Sequence, residues 1–137
     1  MFLAFDYGEL PRSEAFPEGT CSKRPFIFVE LRNGEHKSQF KALIDTGSDF
    51  CVFPKSIADE LSLNLDELHT APALAHGGTV PLCFANVQIS VDGCGEEWET
   101  LAGFAYEGCV PALGNIGFLD RFKVTFDQRN QYFEVQA

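Results

Sequence analysis

The residues best able to do chemistry lie in one stretch, Ala42-Leu43-Ile44-Asp45-Thr46-Gly47-Ser48-Asp49-Phe50-Cys51-Val52-Phe53. An apolar run delivers a carboxylate into a tight Thr-Gly turn, and a second apolar run, closed by Pro54, leaves it. The pattern predicts strand, turn and strand with Asp45 at the apex. Gly47 allows the positive φ or the close backbone approach of a sharp turn, and the hydroxyls of Thr46 and Ser48 can bond neighbouring backbone groups and hold the loop still. A carboxylate held in this way can take a proton as a base or, when protonated, give one as an acid. Asp-Thr-Gly also serves as an ordinary turn, so Asp45 reads either as a reacting group or as a turn acid in a β protein.

The elements that must position Asp45 are readable on both sides of it. Pro25-Phe26-Ile27-Phe28-Val29-Glu30-Leu31 is rich in β-formers, Asn33-Gly34 is a strong hairpin turn, and the return strand from Ser38 to Ile44 feeds Asp45 directly. After Pro54, Ser56 is expected to cap a helix over 57–63 with acids in its first turns; Ile57, Leu61 and Leu65, spaced four apart, give the face that packs on the sheet. Residues 68–80 carry His76-Gly77-Gly78-Thr79 between extended segments, which reads as a mobile hairpin tip, and Pro81 to Val91 continues as a strand. Asp92-Gly93-Cys94-Gly95 signals a turn and Trp98 to Tyr106 the returning strand. Lys123 to Asp127 and Gln131 to Val135 form a final hairpin. Residues 1–22, with Gly8, Pro11, Pro17 and Gly19 among scattered acids, read as an N-terminal extension with one short strand at its start, and residues 23–137 as one domain.

Composition narrows the function classes. The chain has 137 residues and 45% hydrophobic content, enough for one domain with its own core, and its fourteen phenylalanines favour large side chains filling a β-rich interior. A net charge of -10 argues against nucleic acid and anionic membranes as partners, since both need a basic footprint. Five cysteines form an odd set without a CxxC pair, and the opening Met1-Phe2-Leu3-Ala4-Phe5 stops at Asp6, too short for a signal segment. No stretch reaches the apolar length of a membrane span, so a soluble, cytoplasmic protein with reduced thiols is expected. His36, His69 and His76 with the cysteines show no zinc-ligand spacing, so no metal and no cofactor is expected. Cys51, inside an apolar run, reads as a buried small hydrophobe.

A second element joins the first: Val110-Pro111-Ala112-Leu113-Gly114-Asn115-Ile116-Gly117-Phe118-Leu119-Asp120-Arg121-Phe122. The two, in this order, resemble the active-site loop and the apolar-apolar-Gly strand with its short helix that cross beneath one another in the retropepsin-like aspartic proteases. The resemblance covers about 24–135. It implies an all-β, closed, mostly antiparallel barrel with one or two short helices, the last of them closed by Asp120-Arg121-Phe122. It also implies a peptide or protein substrate bound in extended form.

One chain holds one Asp-Thr-Gly and no Asp-Ser-Gly, so the resemblance implies a homodimer in which Asp45 of each copy meets at a two-fold axis. On this reading Asp45 holds the lytic water, Thr46 bonds across the axis, and Gly47 offers backbone to the substrate. Asp49, otherwise a solvated loop acid, bounds the cleft, while Gly77 and Gly78, otherwise only a flexible loop, form the flap. Viral members carry an Arg where Asn115 stands here, pairing with the acid at the Asp49 position; Arg121 is the nearby cation that could replace it. A catalytically silent peptide-binding or dimerisation module on the same fold is the other reading.

Overall fold

A computed structural model describes residues 2–9, 23–75, 77–106 and 108–137. In chain order its elements are β1 (Phe2–Asp6), β2 (Gly8–Glu9), β3 (Lys23–Arg24), β4 (Phe26–Asn33), β5 (His36–Ile44), β6 (Val52–Pro54), α1 (Lys55–Glu60), a 3-10 turn (Leu65–Glu67), β7 (His69–Ala75), β8 (Gly78–Val91), β9 (Trp98–Ala105), β10 (Ala112–Leu113), β11 (Lys123–Asp127) and β12 (Tyr132–Gln136). They form three sheets: β1-β12-β11, the small pair β2-β3, and a seven-stranded sheet ordered β4-β5-β10-β6-β9-β8-β7 with β8 also pairing to β4.

The large sheet exists to bracket one loop. β5 and β6 enter and leave the 45–51 segment, and β10 lies between them. It runs parallel to β5, with Ala112 opposite Leu43 and Leu113 opposite Ile44, and antiparallel to β6, with Ala112 opposite Val52. Alternation drives the sheet inward: Ile27, Val29 and Leu31 of β4 are buried while Phe28 is exposed. Phe53 lies at the centre, ring to ring with Phe40 at 5.4 Å and Phe104 at 5.8 Å. A second aromatic group, Trp98, Phe122 and Phe118, joins β9 to the segment after β10, with consecutive centroids 5.2 Å apart. Each fully buried Phe contributes about 1.5–3 kcal/mol of transfer free energy, so the phenylalanine-rich composition is spent on this interior.

Several expectations change. The chain is mostly strand with one short α-helix among the described residues, and its strands fall into three sheets, of which the large one mixes parallel with antiparallel pairs. The pairings β5–β10 and β6–β9 are parallel. Pro54, not Ser56, is the N-cap of α1, and no side chain caps it. The first turn of α1 holds no acid; Asp59 sits one turn on, where it accepts from Lys55 Nζ at 2.9 Å. Leu65 is buried as expected, but in the 3-10 turn, which Asn64 caps by accepting from the Asp66 N–H. Residues 117–121 form successive turns rather than a helix. The hairpin pairs Asn33 with His36 across Gly34-Glu35, one residue on from the Asn-Gly reading. Within the 1–22 segment, residues 2–9 lie in β1 and β2; residues 10–22 and His76 lie outside the described residues.

Candidate active site

β5 ends at Ile44 and the chain turns at once. The Asp45 N–H donates to the Leu113 carbonyl at 2.9 Å, so β10 fixes the carboxylate's own backbone. Asp45 then closes the turn twice, accepting the Ser48 N–H at its backbone oxygen (3.2 Å) and the Gly47 N–H at Oδ1 (2.9 Å). The second bond makes an Asx-type turn and sets the carboxylate's orientation. A Cβ on Gly47 would lie 3.3 Å from Asp45 Oδ1, so glycine serves here by close approach, not by positive φ. Ser48 Oγ donates to the Phe50 carbonyl at 2.7 Å, as its hydroxyl was expected to do. Asp45 is half-buried, while Thr46, Gly47 and Asp49 are exposed.

The segment after β10 supports the loop from the other side. Gly114 runs so close that an added Cβ would lie 2.2 Å from the Phe50 carbonyl oxygen and 2.5 Å from that of Ser48. Only glycine fits, which is the physical content of the apolar-apolar-Gly pattern. Next to it, the Asn115 N–H donates to the Ser48 carbonyl at 2.8 Å, and its side-chain amide donates to Ser48 O at 2.9 Å and Thr46 O at 3.2 Å. The Ile116 N–H donates to Asp49 O at 2.9 Å. Asn115 therefore acts on the loop's carbonyls and not on the Asp49 carboxylate. Arg121 does not replace the missing Arg: it pairs with Glu96 at 3.4 Å and lies over the Trp98 ring at 4.8 Å.

Beneath the loop Cys51 is fully buried, its thiol donating to the Ile116 carbonyl at 3.4 Å, and burial pushes its pKa up to about 11. Gly117, at φ +101°, turns the chain so that its carbonyl accepts Trp98 Nε1–H at 2.8 Å.

Gly77 and Gly78, with φ of +89° and +148°, stand at the turn between β7 and β8, away from the Asp45 loop in sequence. Phe50, at the loop's exit, meets Phe84 edge to face at 5.1 Å, at the end of the β7–β8 hairpin opposite to that turn. Leu74 and Val80 flank the turn and are exposed, which gives it an apolar tip. The sequence reading missed both the Phe50–Phe84 contact and the double role of Asn115; neither is local in sequence. Among the described residues no group of His, Cys, Asp and Glu is arranged to hold a metal, and no helix is long and apolar enough to cross a membrane.

No protein-family model matches the chain, and no curated protein matches it. A solved structure does: a retropepsin-like aspartic protease from Rickettsia conorii superposes with a TM-score of 0.61 over 98% of this chain and 91% of that one, at 13% sequence identity. At that identity the likeness establishes a similar fold.

Proposed function

We propose that the chain is a homodimeric aspartic endopeptidase acting on extended peptides. The observation that carries the proposal is the Asp45 loop itself: a half-buried carboxylate oriented by the Gly47 N–H and tied by its backbone to Leu113, on a fold similar to a retropepsin-like protease. One chain holds a single such loop, so the reaction needs the Asp45 carboxylates of two copies side by side.

Two carboxylates a few ångströms apart cannot both ionise, so they share a proton, and the apparent pKa values belong to the pair. The ionised member takes a proton from water as the water oxygen attacks the peptide carbonyl carbon. The protonated member gives its proton to the carbonyl oxygen. The tetrahedral diol collapses as the carboxyl that took the water's proton gives it to the amide nitrogen and the C–N bond breaks. The other carboxylate takes a hydroxyl proton of the diol, which restores the shared proton. Asp49 bounds the groove, and the turn at Gly77 and Gly78 closes over a peptide held by main-chain bonds. The described cysteines are free thiols, which supports the cytoplasm as its compartment.

The test is a pH series of cleavage on a mixed peptide library, run with the wild type and Asp45→Asn. Asparagine keeps the acceptor that Gly47 uses, so the fold should survive while cleavage disappears. Cleavage that persists in Asp45→Asn would move the chemistry elsewhere; a wild type that binds peptides and cleaves none would favour a silent binding module.

A further inference from the structure

The β7–β8 hairpin leaves the large sheet as an arm. β7 is the sheet's end strand, and β8 pairs with β9 from Cys83 onward and with β4 from Gln88 onward. Among the described residues, the stretch 71–82 is therefore a two-stranded ribbon whose strands have only each other as ladder partners. Two strands alone are marginally stable in water, so the arm's order and direction are set where it is rooted. We propose that Tyr106 is a positioning residue for this arm: its hydroxyl, donated to Asp66, latches the root of the hairpin to the end of β9. The inference rests on the peptidase reading above, in which the hairpin turn closes over the peptide.

The chain brings the two partners to the root from different sides. Asp66 lies in the 3-10 turn, three residues before β7 begins at His69, and Tyr106 follows directly on β9, which ends at Ala105. Thr70, Cys83 and Phe104 are direct partners in one row across β7, β8 and β9, so they share a face. Tyr106 stands two residues past Phe104, the spacing that keeps a side chain on the same face. The Cys83 thiol lies beside the Tyr106 hydroxyl and meets Thr70 Oγ1 at 3.6 Å. The phenol thus spans the root of the arm, from the end of β9 past β8 to the turn that starts β7, where its hydroxyl donates to Asp66 Oδ1 at 2.7 Å.

The bond, rather than packing, is the restraint. Tyr106 is 44% exposed and borders, with Lys55, Asp59 and Asn64, an open hollow of about 310 Å³. A short bond to a charged acceptor is the stronger kind. The hydrogen bond to Asp66, with the Cys83 thiol second, pushes the tyrosine's pKa up, so the hydroxyl keeps the proton it donates at neutral pH. The acceptor is held in turn, since the Asp66 N–H donates to Asn64 Oδ1 at 3.1 Å. From Tyr106 the chain runs on to Pro111, whose carbonyl accepts the Leu43 N–H at 2.8 Å, two residues before Asp45. The latch therefore ties the arm to the strand that carries the carboxylate.

Hydrogen exchange on the whole chain tests the latch without reference to cleavage. Tyr106→Phe removes only the hydroxyl, and Asp66→Ala removes the acceptor. Each should speed exchange of the 69–82 amides about tenfold while the β4–β5 ladder stays as in wild type. Asp66→Asn keeps an acceptor oxygen and should stay within about threefold of wild type. The double variant should be no faster than either single one, since the two changes remove one bond. Unchanged 69–82 exchange in Tyr106→Phe overturns the latch, and so does equal acceleration of β4–β5, which marks general destabilisation. In cleavage, Tyr106→Phe should raise KM about tenfold and leave kcat within about twofold, because main-chain bonds to the arm hold ground state and transition state alike. A lower kcat at unchanged KM overturns the positioning role. Failures of the latch and of the peptidase are distinct. Asp45-dependent cleavage with 69–82 exchange unmoved discards the latch alone, and a wild type that cleaves nothing, with an arm that loosens in Tyr106→Phe, discards the peptidase alone.

Discussion

Asn115 holds Ser48 twice, its backbone N–H and its side-chain amide both donating to the Ser48 carbonyl oxygen, at 2.8 and 2.9 Å. The same amide reaches Thr46 O. Truncation by Asn115→Ala removes the side-chain bonds and leaves the backbone one, a loss of about 1–2 kcal/mol in thermal or urea unfolding. Asn115→Asp should cost more, because it turns acceptor oxygens toward two carbonyls. If the Asp variant proves as stable as wild type, the amide donors are not what braces the loop.

Gly114 permits no side chain. With the Phe50 carbonyl oxygen 2.2 Å from the place a Cβ would take, and the Ser48 carbonyl at 2.5 Å, the obstacles are backbone atoms that cannot rotate away. Gly114→Ala is expected to destabilise by about 3 kcal/mol or more, or to prevent folding. Gly108→Ala, where an added Cβ meets nothing within 4 Å, is the matched control and should change stability by less than about 1 kcal/mol.

Acid should loosen the join between β4 and the 94–97 loop. Arg32 Nε donates to Glu97 Oε2 at 3.0 Å, and this hydrogen-bonded guanidinium holds the Glu97 carboxyl below its ordinary value. A carboxylate with a depressed folded-state pKa adds stability above its ordinary pKa and loses it as pH falls through the folded value. Both partners are partly exposed, so the contribution is small and weakened by salt. Melting temperatures from neutral pH down through the carboxylate range should fall less steeply for Glu97→Gln than for wild type. Parallel curves would show that the pair carries no pH-linked stability.

The thiols should separate by burial. Cys51 and Cys83 are fully buried, and Cys51 is pushed up to about 11, whereas Cys109 is exposed. Partial burial raises the Cys109 thiol too, but reagent can reach it, so iodoacetamide should label Cys109 while Cys51 and Cys83 stay unmodified until the chain unfolds. Peptide mapping by mass spectrometry checks this; equal labelling of Cys51 and Cys109 in the native protein would contradict the packing beneath the loop.

What the sequence made legible was mostly local. The hairpin into Asp45, the last hairpin and the strand from Pro81 to Val91 follow from alternation and turn chemistry, which act over a few residues. The close passage at Gly114 was legible too, as the glycine of the apolar-apolar-Gly element that the resemblance sets crossing beneath the Asp45 loop. Pro54 defeated the cap expectation: its fixed φ starts α1 one residue before the helix, so Ser56 falls inside. Residues 117–121 form turns rather than a helix because Gly117 sits at φ +101°, outside the helical region, and its carbonyl is taken by Trp98 Nε1–H. The parallel pairing of β10 with β5 and the Asn115 bonds join residues about seventy apart, which no local pattern reports.

β1 pairs with β12 in a register that sets Phe2 against Gln136 and Asp6 against Tyr132. Nearly the whole described chain lies between these two partners, so their pairing closes a long loop. Closing a loop of that length is slow, and the Asp45 loop, β10 and the large sheet can all assemble before it happens. The β1–β12 pairing is therefore expected to form after the local hairpins, β11–β12 among them. A chain shortened before β12 would keep every element around the Asp45 loop and lose the partner of both β1 and β11.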